Sequence, residues 1–188
     1  MSLHVLLHRS DLRISVHVKK TEPRKNPPIL IEKTNIDHFT QHQEMITQTI
    51  VEYLDSFEDK KVAIWGLAFK PKTDDMRGAP SLTIIENLLD SGAKVECYDP
   101  VVSKNSENFE IQNESLKIGL DPYEIAKGAD CLIVCTDWSE FKNINYEKLG
   151  RLMNRKIILD GRNILIPEEA ALNNFEYYDI GRTKIDQT

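Results

Sequence analysis

Several common markers of specialised proteins are scarce or absent in this 188-residue chain. There are only three cysteines, Cys97, Cys131 and Cys135, and no pair of them has the CxxC spacing of a metal site. All three lie in or beside apolar, strand-like runs, so buried thiols in a reducing cytoplasm are expected. A nucleophilic thiol needs an exposed loop and a nearby base, and neither CLIVCT nor VECYDP offers them. No apolar run approaches the ~18 residues of a membrane span. The opening MSLHVLLHRS lacks the apolar core and cleavage site of a signal peptide. A soluble, cytoplasmic protein with no membrane partner is therefore expected. An excess of positive charge is missing too. The net charge of −6 argues against nonspecific nucleic-acid binding by the whole chain. There is no internal repeat.

The 40% of hydrophobic residues suffices for a sizeable core, and the length suits one domain, or one domain with an appendage. Residues 1–34 form an atypical segment, in which HVLLHRSDLRISVHVKKTEPRKNPP holds six basic residues, two acids and three of the five histidines. LRISVHV within it alternates like a short strand, and the remainder reads as linker, tag or tail, better as a solvated terminus than as an anion site. A helical arm is predicted over 35–57, with Thr34 or Asn35 as cap and an apolar stripe of Ile36, Phe39, Ile46, Ile50 and Leu54.

From residue 58 to 181 strand and helix signals alternate. KVAIWG, KVECYDP, CLIVCT, KIILDGR and FEYYDIG read as strands, and FEIQ is a candidate for a further short one in an otherwise polar, irregular stretch. APSLTIIENLLDSGA, DPYEIAKGA, NYEKLGRLM and PEEAALNN read as helices. Pro80 suits the first turn of the first helix, and Gly92 sits where a C-terminal glycine belongs. This order predicts an α/β fold: a doubly wound, Rossmann-like parallel sheet with helices on both faces. Residues 182–188 are read as a tail. In such folds ligands bind beyond the carboxyl ends of the strands. Those ends carry GLAFKPKTDDMR, DP, TDWSEF and DGRN.

The first of these loops breaks the dinucleotide fingerprint. Counted from Gly66, the second glycine of GxGxxG is Ala68 and the last is Pro71. Asp99 stands where a ribose-binding acid would be, although Asp-Pro is also a common turn. Lys70 and Arg162 leave two strand ends and could converge on one crevice. Two cations with exposed backbone N–H groups suit a diphosphate; solvation, or pairing with Asp74, Asp75 or Asp160, is the alternative. Asp74 and Asp75 read better as turn-capping acids that pair with Arg77 than as metal ligands, so no metal is expected. Trp138 and Phe141 either line a pocket or pack at the sheet edge.

GLAFKPKTDDMRGAPS, GAKVECYDP, ADCLIVCTDWSEF and KIILDGRN, in that order and spacing, resemble the C-terminal domain of nucleotide-sugar dehydrogenases, and TDDMR and AP look most like the UDP-glucose 6-dehydrogenases. The GDP-mannose and UDP-N-acetylmannosamine enzymes are the nearest alternatives. The resemblance covers about residues 36–180. One departure is Gly78, where relatives often carry Glu, Asp or Ser.

The resemblance implies an oxidoreductase that oxidises a sugar C6 alcohol to a carboxylate in two NAD-dependent steps. It implies a UDP-binding role for this domain within nucleotide-sugar and polysaccharide biosynthesis. It matches Lys70 and Phe69, the FK pair, and Arg162 to residues that contact the UDP-sugar, and Arg77 to an arginine that reaches an NAD held by another domain. The 35–57 helix resembles the tail of the family's central dimerisation region, which makes a homodimer one arrangement open to the chain. The family's GxGxxG and its catalytic-cysteine motif GxxCxPKD are not in this sequence. No catalytic residue is therefore assigned, and the chain is expected to be inactive alone, as a fragment, a truncated form or a degraded gene. A standalone nucleotide-binding or regulatory module is the other reading.

Overall fold

The computed structural model describes residues 58–104, 109 and 111–179. The segments read as an N-terminal stretch (1–34), a helical arm (35–57) and a tail (182–188) lie outside these residues.

Six strands form one sheet: β1 (Lys61–Trp65), β2 (Lys94–Tyr98), β3 (Leu116–Ile118), β4 (Cys131–Val134), β5 (Ile157–Asp160) and β6 (Glu176–Asp179). Their spatial order is β3-β2-β1-β4-β5-β6, and every pairing is parallel. The doubly wound sheet expected from the sequence is what forms. Among the described residues four α-helices accompany it: α1 (Pro80–Asp90), α2 (Pro122–Ala126), α3 (Tyr146–Leu152) and α4 (Pro167–Leu172), with a 3₁₀ turn over Ser139–Asn143.

Both sheet faces are buried, which explains why the central strands read as unbroken apolar runs. Alternate residues feed two separate cores. Val62 and Ile64 of β1 pack with Ile133, Leu159 and the α1 residues Ile84, Ile85 and Leu88. Ala63 and Trp65 face the other way, against Leu132, Ile158, Ile125, Leu149 and Phe175. Each fully buried side chain of this kind contributes about 1.5–3 kcal/mol.

Helix ends follow the sequence signals. Pro80 opens α1, and Gly92 closes it at φ 82°, with Gly92 N–H donating to Leu89 and Ala93 N–H to Leu88. Asp121 caps α2 by accepting from the N–H groups of Tyr123 and Glu124, and Asn145 caps α3 through Lys148 N–H. The strand expected at FEIQ does not form among the described residues. Phe109 is only 4% exposed and anchors that stretch in the α1-side core without joining a ladder. The edge strand is instead Leu116–Ile118, paired with Val95–Cys97. Three residues are too short a run for periodicity to reveal.

The register aligns the carboxyl ends. Trp65 is level with Tyr98 and Val134, Val134 with Asp160, and Asp160 with Asp179. The loops that follow therefore all emerge on one edge of the sheet. The strand order reverses between β1 and β4 on that edge, which is where doubly wound sheets open their ligand crevice.

Candidate functional site

At the reversal point the loops after β1 and β4 are locked together. Gly66 adopts φ 91°, and a Cβ there would lie 2.5 Å from Thr136 Cβ and 2.6 Å from Thr136 N. Thr136 Oγ1 donates to the Ala68 carbonyl at 2.6 Å, and Ser81 Oγ of α1 donates to the Leu67 carbonyl at 2.6 Å. Only glycine allows this closeness, so the single glycine of GLAFKPKTDDMR serves loop packing.

The backbone N–H groups that would cradle a phosphate are already occupied. Asp99, 0% exposed, accepts from Leu67 N–H at 2.8 Å and Ala68 N–H at 3.2 Å through Oδ2. The same oxygen accepts from the Trp138 indole at 3.0 Å, while Oδ1 accepts from Val101 and Val102 N–H at 3.0 and 3.1 Å. The acid in the ribose-binding position is thus turned inward, where it fills the anion cradle of its own fold. This turn does not fit a dinucleotide pyrophosphate, for a stronger reason than its missing glycines.

A second buried carboxylate organises the loop after β5. Asp160, 1% exposed, accepts from the N–H groups of Arg162, Ile164 and Leu165 and from the Tyr177 hydroxyl. It holds the backbone of Arg162 and leaves the guanidinium to another acid: Arg162 Nη2 donates to Asp137 at 3.1 Å. Asp137 belongs to TDWSEF and had not been singled out from the sequence. Its signal was its position in the loop after β4, three residues past the strand end and beside the loop that carries Arg162.

Lys70 is exposed on the loop after β1 and makes no hydrogen bond or ion pair with the described residues; its charge reaches Asp75 through space. Phe69 is 42% exposed, and its N–H donates to the Asp75 carbonyl, which closes the loop. Arg77 forms a bidentate pair with Asp75, at 2.9 Å from Nε and 2.8 Å from Nη2. That hydrogen bonding holds the Asp75 carboxyl down at about 2 and pushes the Arg77 guanidinium up. Pairing of Arg77 within its own turn agrees with the sequence reading. Gly78 has φ 66° with nothing near its missing Cβ, a conformation glycine adopts at no steric cost.

Lys70, Phe69 and Arg162 therefore share one sheet edge. β1 and β5 flank β4, so their ends stand about 10 Å apart. Trp138 and Phe141 are packed residues: Phe141 stacks on Trp65 with ring centroids 5.2 Å apart, and Trp138 is 8% exposed with its indole on Asp99. The three thiols are buried, and burial raises each above the usual thiol range, Cys135 to about 12. An open hollow of about 410 Å³ between Asn143–Glu147 and Glu169–Asn173 shares no residue with this edge. Its lining has two carboxylates and no cation, which disfavours an anionic ligand there.

Comparison with known proteins agrees with this architecture. Residues 63–167, more than half of the chain, match the model of the UDP-glucose/GDP-mannose dehydrogenase family, UDP binding domain. A UDP-glucose 6-dehydrogenase of Rhizobium meliloti is 35% identical over 165 residues, which span 88% of this chain and 37% of that protein. The structure of UDP-D-ManNAc dehydrogenase from Pyrococcus horikoshii is 30% identical with a TM-score of 0.58, over 76% of this chain and 30% of that one. The UDP-glucose dehydrogenase of Pyrobaculum islandicum shares the fold, with a TM-score of 0.60 at 24% identity over 74% of this chain and 29% of that one. The chain spans about a third of the length of the curated relatives it matches. Among the described residues no helix is long and apolar enough to cross a membrane. The chain belongs to the UDP-glucose/GDP-mannose dehydrogenase family, and carries its UDP binding domain.

Proposed function

We propose that the sheet edge bearing Lys70, Phe69 and Arg162 holds the UDP-sugar substrate of an NAD-dependent oxidoreductase that converts UDP-glucose to UDP-glucuronate. The observation that carries this reading is the placement of Lys70 and Arg162 on one edge, two strands apart. Side-chain cations take the diphosphate because the backbone cradle is filled by Asp99. Arg162 presents a five-donor fork, of which Asp137 takes one position, so the guanidinium can hold a phosphate as well. Phe69, partly exposed beside Lys70, offers an apolar face to the nucleotide-sugar.

NAD supplies hydride acceptance in this chemistry, and this domain's own turn does not fit it. Arg77, whose side chain is 92% exposed, is proposed to face an NAD held by another domain. The buried thiols do not suit covalent work on an aldehyde, so the described domain supplies substrate binding and no catalytic residue. The reading extends to a cytoplasmic protein that serves polysaccharide biosynthesis.

Titration with UDP, UDP-glucose, GDP-mannose and NAD side by side tests the reading. UDP and UDP-glucose are expected to bind more tightly than GDP-mannose and NAD. The chain alone is expected to produce no NADH from UDP-glucose and NAD. Preferential binding of NAD would overturn the assignment.

A further inference from the structure

Asp99 joins three segments through one side chain. Its donors are Leu67 and Ala68 from the loop after β1, Val101 and Val102 from its own loop, and the Trp138 indole from the loop after β4. Its backbone N–H donates to Ser103 Oγ at 2.9 Å, so the carboxylate sits on a fixed base. Five N–H groups on two oxygens satisfy a charge that no water reaches, at 0% exposure.

The two ends of this arrangement are the candidate site. Ala68 lies two residues before Lys70, and its carbonyl also takes the Thr136 hydroxyl at 2.6 Å. Trp138 directly follows Asp137, which holds the Arg162 guanidinium at 3.1 Å. A continuous path thus runs from Lys70 through Ala68, Asp99, Trp138 and Asp137 to Arg162. Every non-covalent step in it is a hydrogen bond or ion pair of 3.2 Å or less. The sheet fixes where the strands end. It does not fix how the loops beyond them lean toward one another; two ties do, the direct Thr136–Ala68 hydrogen bond and Asp99, whose single carboxylate takes donors from both loops.

We propose that Asp99 is a positioning residue: it sets the separation of the Lys70 loop from the Asp137–Arg162 pair, and so the spacing of the two cations. The consequence for UDP rests on the function proposed above, whereas the tie between the loops does not.

The test uses the full chain and the variants Asp99→Asn and Trp138→Phe, with amide hydrogen exchange read without ligand and UDP binding read in parallel. Asn keeps the shape but places an NH2 against N–H donors. In Asp99→Asn the amides of Leu67 and Ala68 and the Trp138 indole are expected to exchange together, about tenfold faster or more, while those of Ile64 and Ile133 in the strands keep their protection. The UDP dissociation constant of the folded variant is expected to rise roughly tenfold. Trp138→Phe removes the donor from the second loop, keeps an aromatic side chain in its place and leaves the other four Asp99 donors untouched, so it serves as the test if Asp99→Asn does not fold. It is expected to weaken UDP by a few-fold while Leu67 and Ala68 stay protected. Equal loss of protection in loops and strands would make Asp99 a stability residue only and overturn the proposal. Unchanged loop exchange in Asp99→Asn, or unchanged UDP affinity in either folded variant, would overturn it as well. If the loops open together but the unaltered chain does not bind UDP, the ligand assignment falls and the tie stands.

Discussion

Arg162 and Asp137 face each other at 3.1 Å across the gap between two strand-end loops, with side chains 35% and 38% exposed. A pair this exposed adds little to stability. Its effect is to aim the guanidinium. If a diphosphate binds here, Lys70 and Arg162 each offer charge-assisted hydrogen bonds of about 1.5–3 kcal/mol. Lys70→Ala and Arg162→Ala are then expected to weaken UDP binding roughly ten- to a hundredfold, measured by calorimetry. Added salt should weaken it further. Arg77→Ala should leave UDP affinity nearly unchanged. Loss of binding in Arg77→Ala with retention in the other two would reverse the assigned roles.

The Arg77–Asp75 pair makes a separate prediction about pH. Hydrogen bonds from Arg77 are the main reason the Asp75 carboxyl falls from 3.8 to about 2. A depressed folded-state value means the contribution is present above the ordinary carboxylate value and is lost as pH falls from about 4 through 2. The pair is exposed, so the loop should loosen without the fold melting. Carboxyl carbon NMR is expected to show Asp75 titrating near 2, returning toward 3.8 in Arg77→Ala. An ordinary midpoint in the unaltered chain would show that the pair does not persist in solution.

Much of this was legible from the residues. Unbroken apolar runs separated by helical patterns can be buried on both faces only in a parallel sheet, and Pro80 and Gly92 bracket their helix as side-chain chemistry dictates. The strand at Leu116–Ile118 was not legible, because three residues of β structure take their stability from a neighbour's ladder. Nor was the role of Asp99. Its place after β2 suggested a ligand-facing acid, but the direction of its side chain depends on donors 31 to 39 residues away in sequence. The partner of Arg162 was hidden likewise: Asp160 is the nearer acid in sequence, but its oxygens are taken by backbone N–H groups and the Tyr177 hydroxyl.

The thiols should be inert in the native chain. Desolvation is the first cause of the rise at each of them. At Cys135, pushed up to about 12, Asp160 adds to the rise and Arg162 opposes it. Nucleophilic reaction requires the thiolate, which is negligible at neutral pH under these conditions. An aromatic disulfide reagent at pH 7.5 is expected to label no cysteine of the described core until denaturant is added, and then all three. Rapid stoichiometric labelling of the native chain would mean that strands β2 or β4 open readily.

The two glycines between β1 and α1, Gly66 and Gly78, both at positive φ, should respond very differently to alanine. At Gly66 the new Cβ would meet Thr136 Cβ at 2.5 Å and Thr136 N at 2.6 Å, and φ is 91°. Backbone strain and overpacking each cost about 1–3 kcal/mol, so Gly66→Ala should lose roughly 3 kcal/mol or more in urea denaturation. At Gly78 the Cβ meets nothing within 4 Å, and only the left-handed conformation at φ 66° is charged against it, about 1–2 kcal/mol. Gly78→Asn should lose less still, because asparagine tolerates that region. Adding Thr136→Gly to Gly66→Ala removes the side-chain contacts but neither the approach to Thr136 N nor the strain in φ. It also deletes the hydroxyl that bonds the Ala68 carbonyl. The double variant should therefore recover only part of the loss, if any. Equal destabilisation by Gly66→Ala and Gly78→Ala would mean that the close approach of the β1 and β4 loops is not a feature of the folded protein.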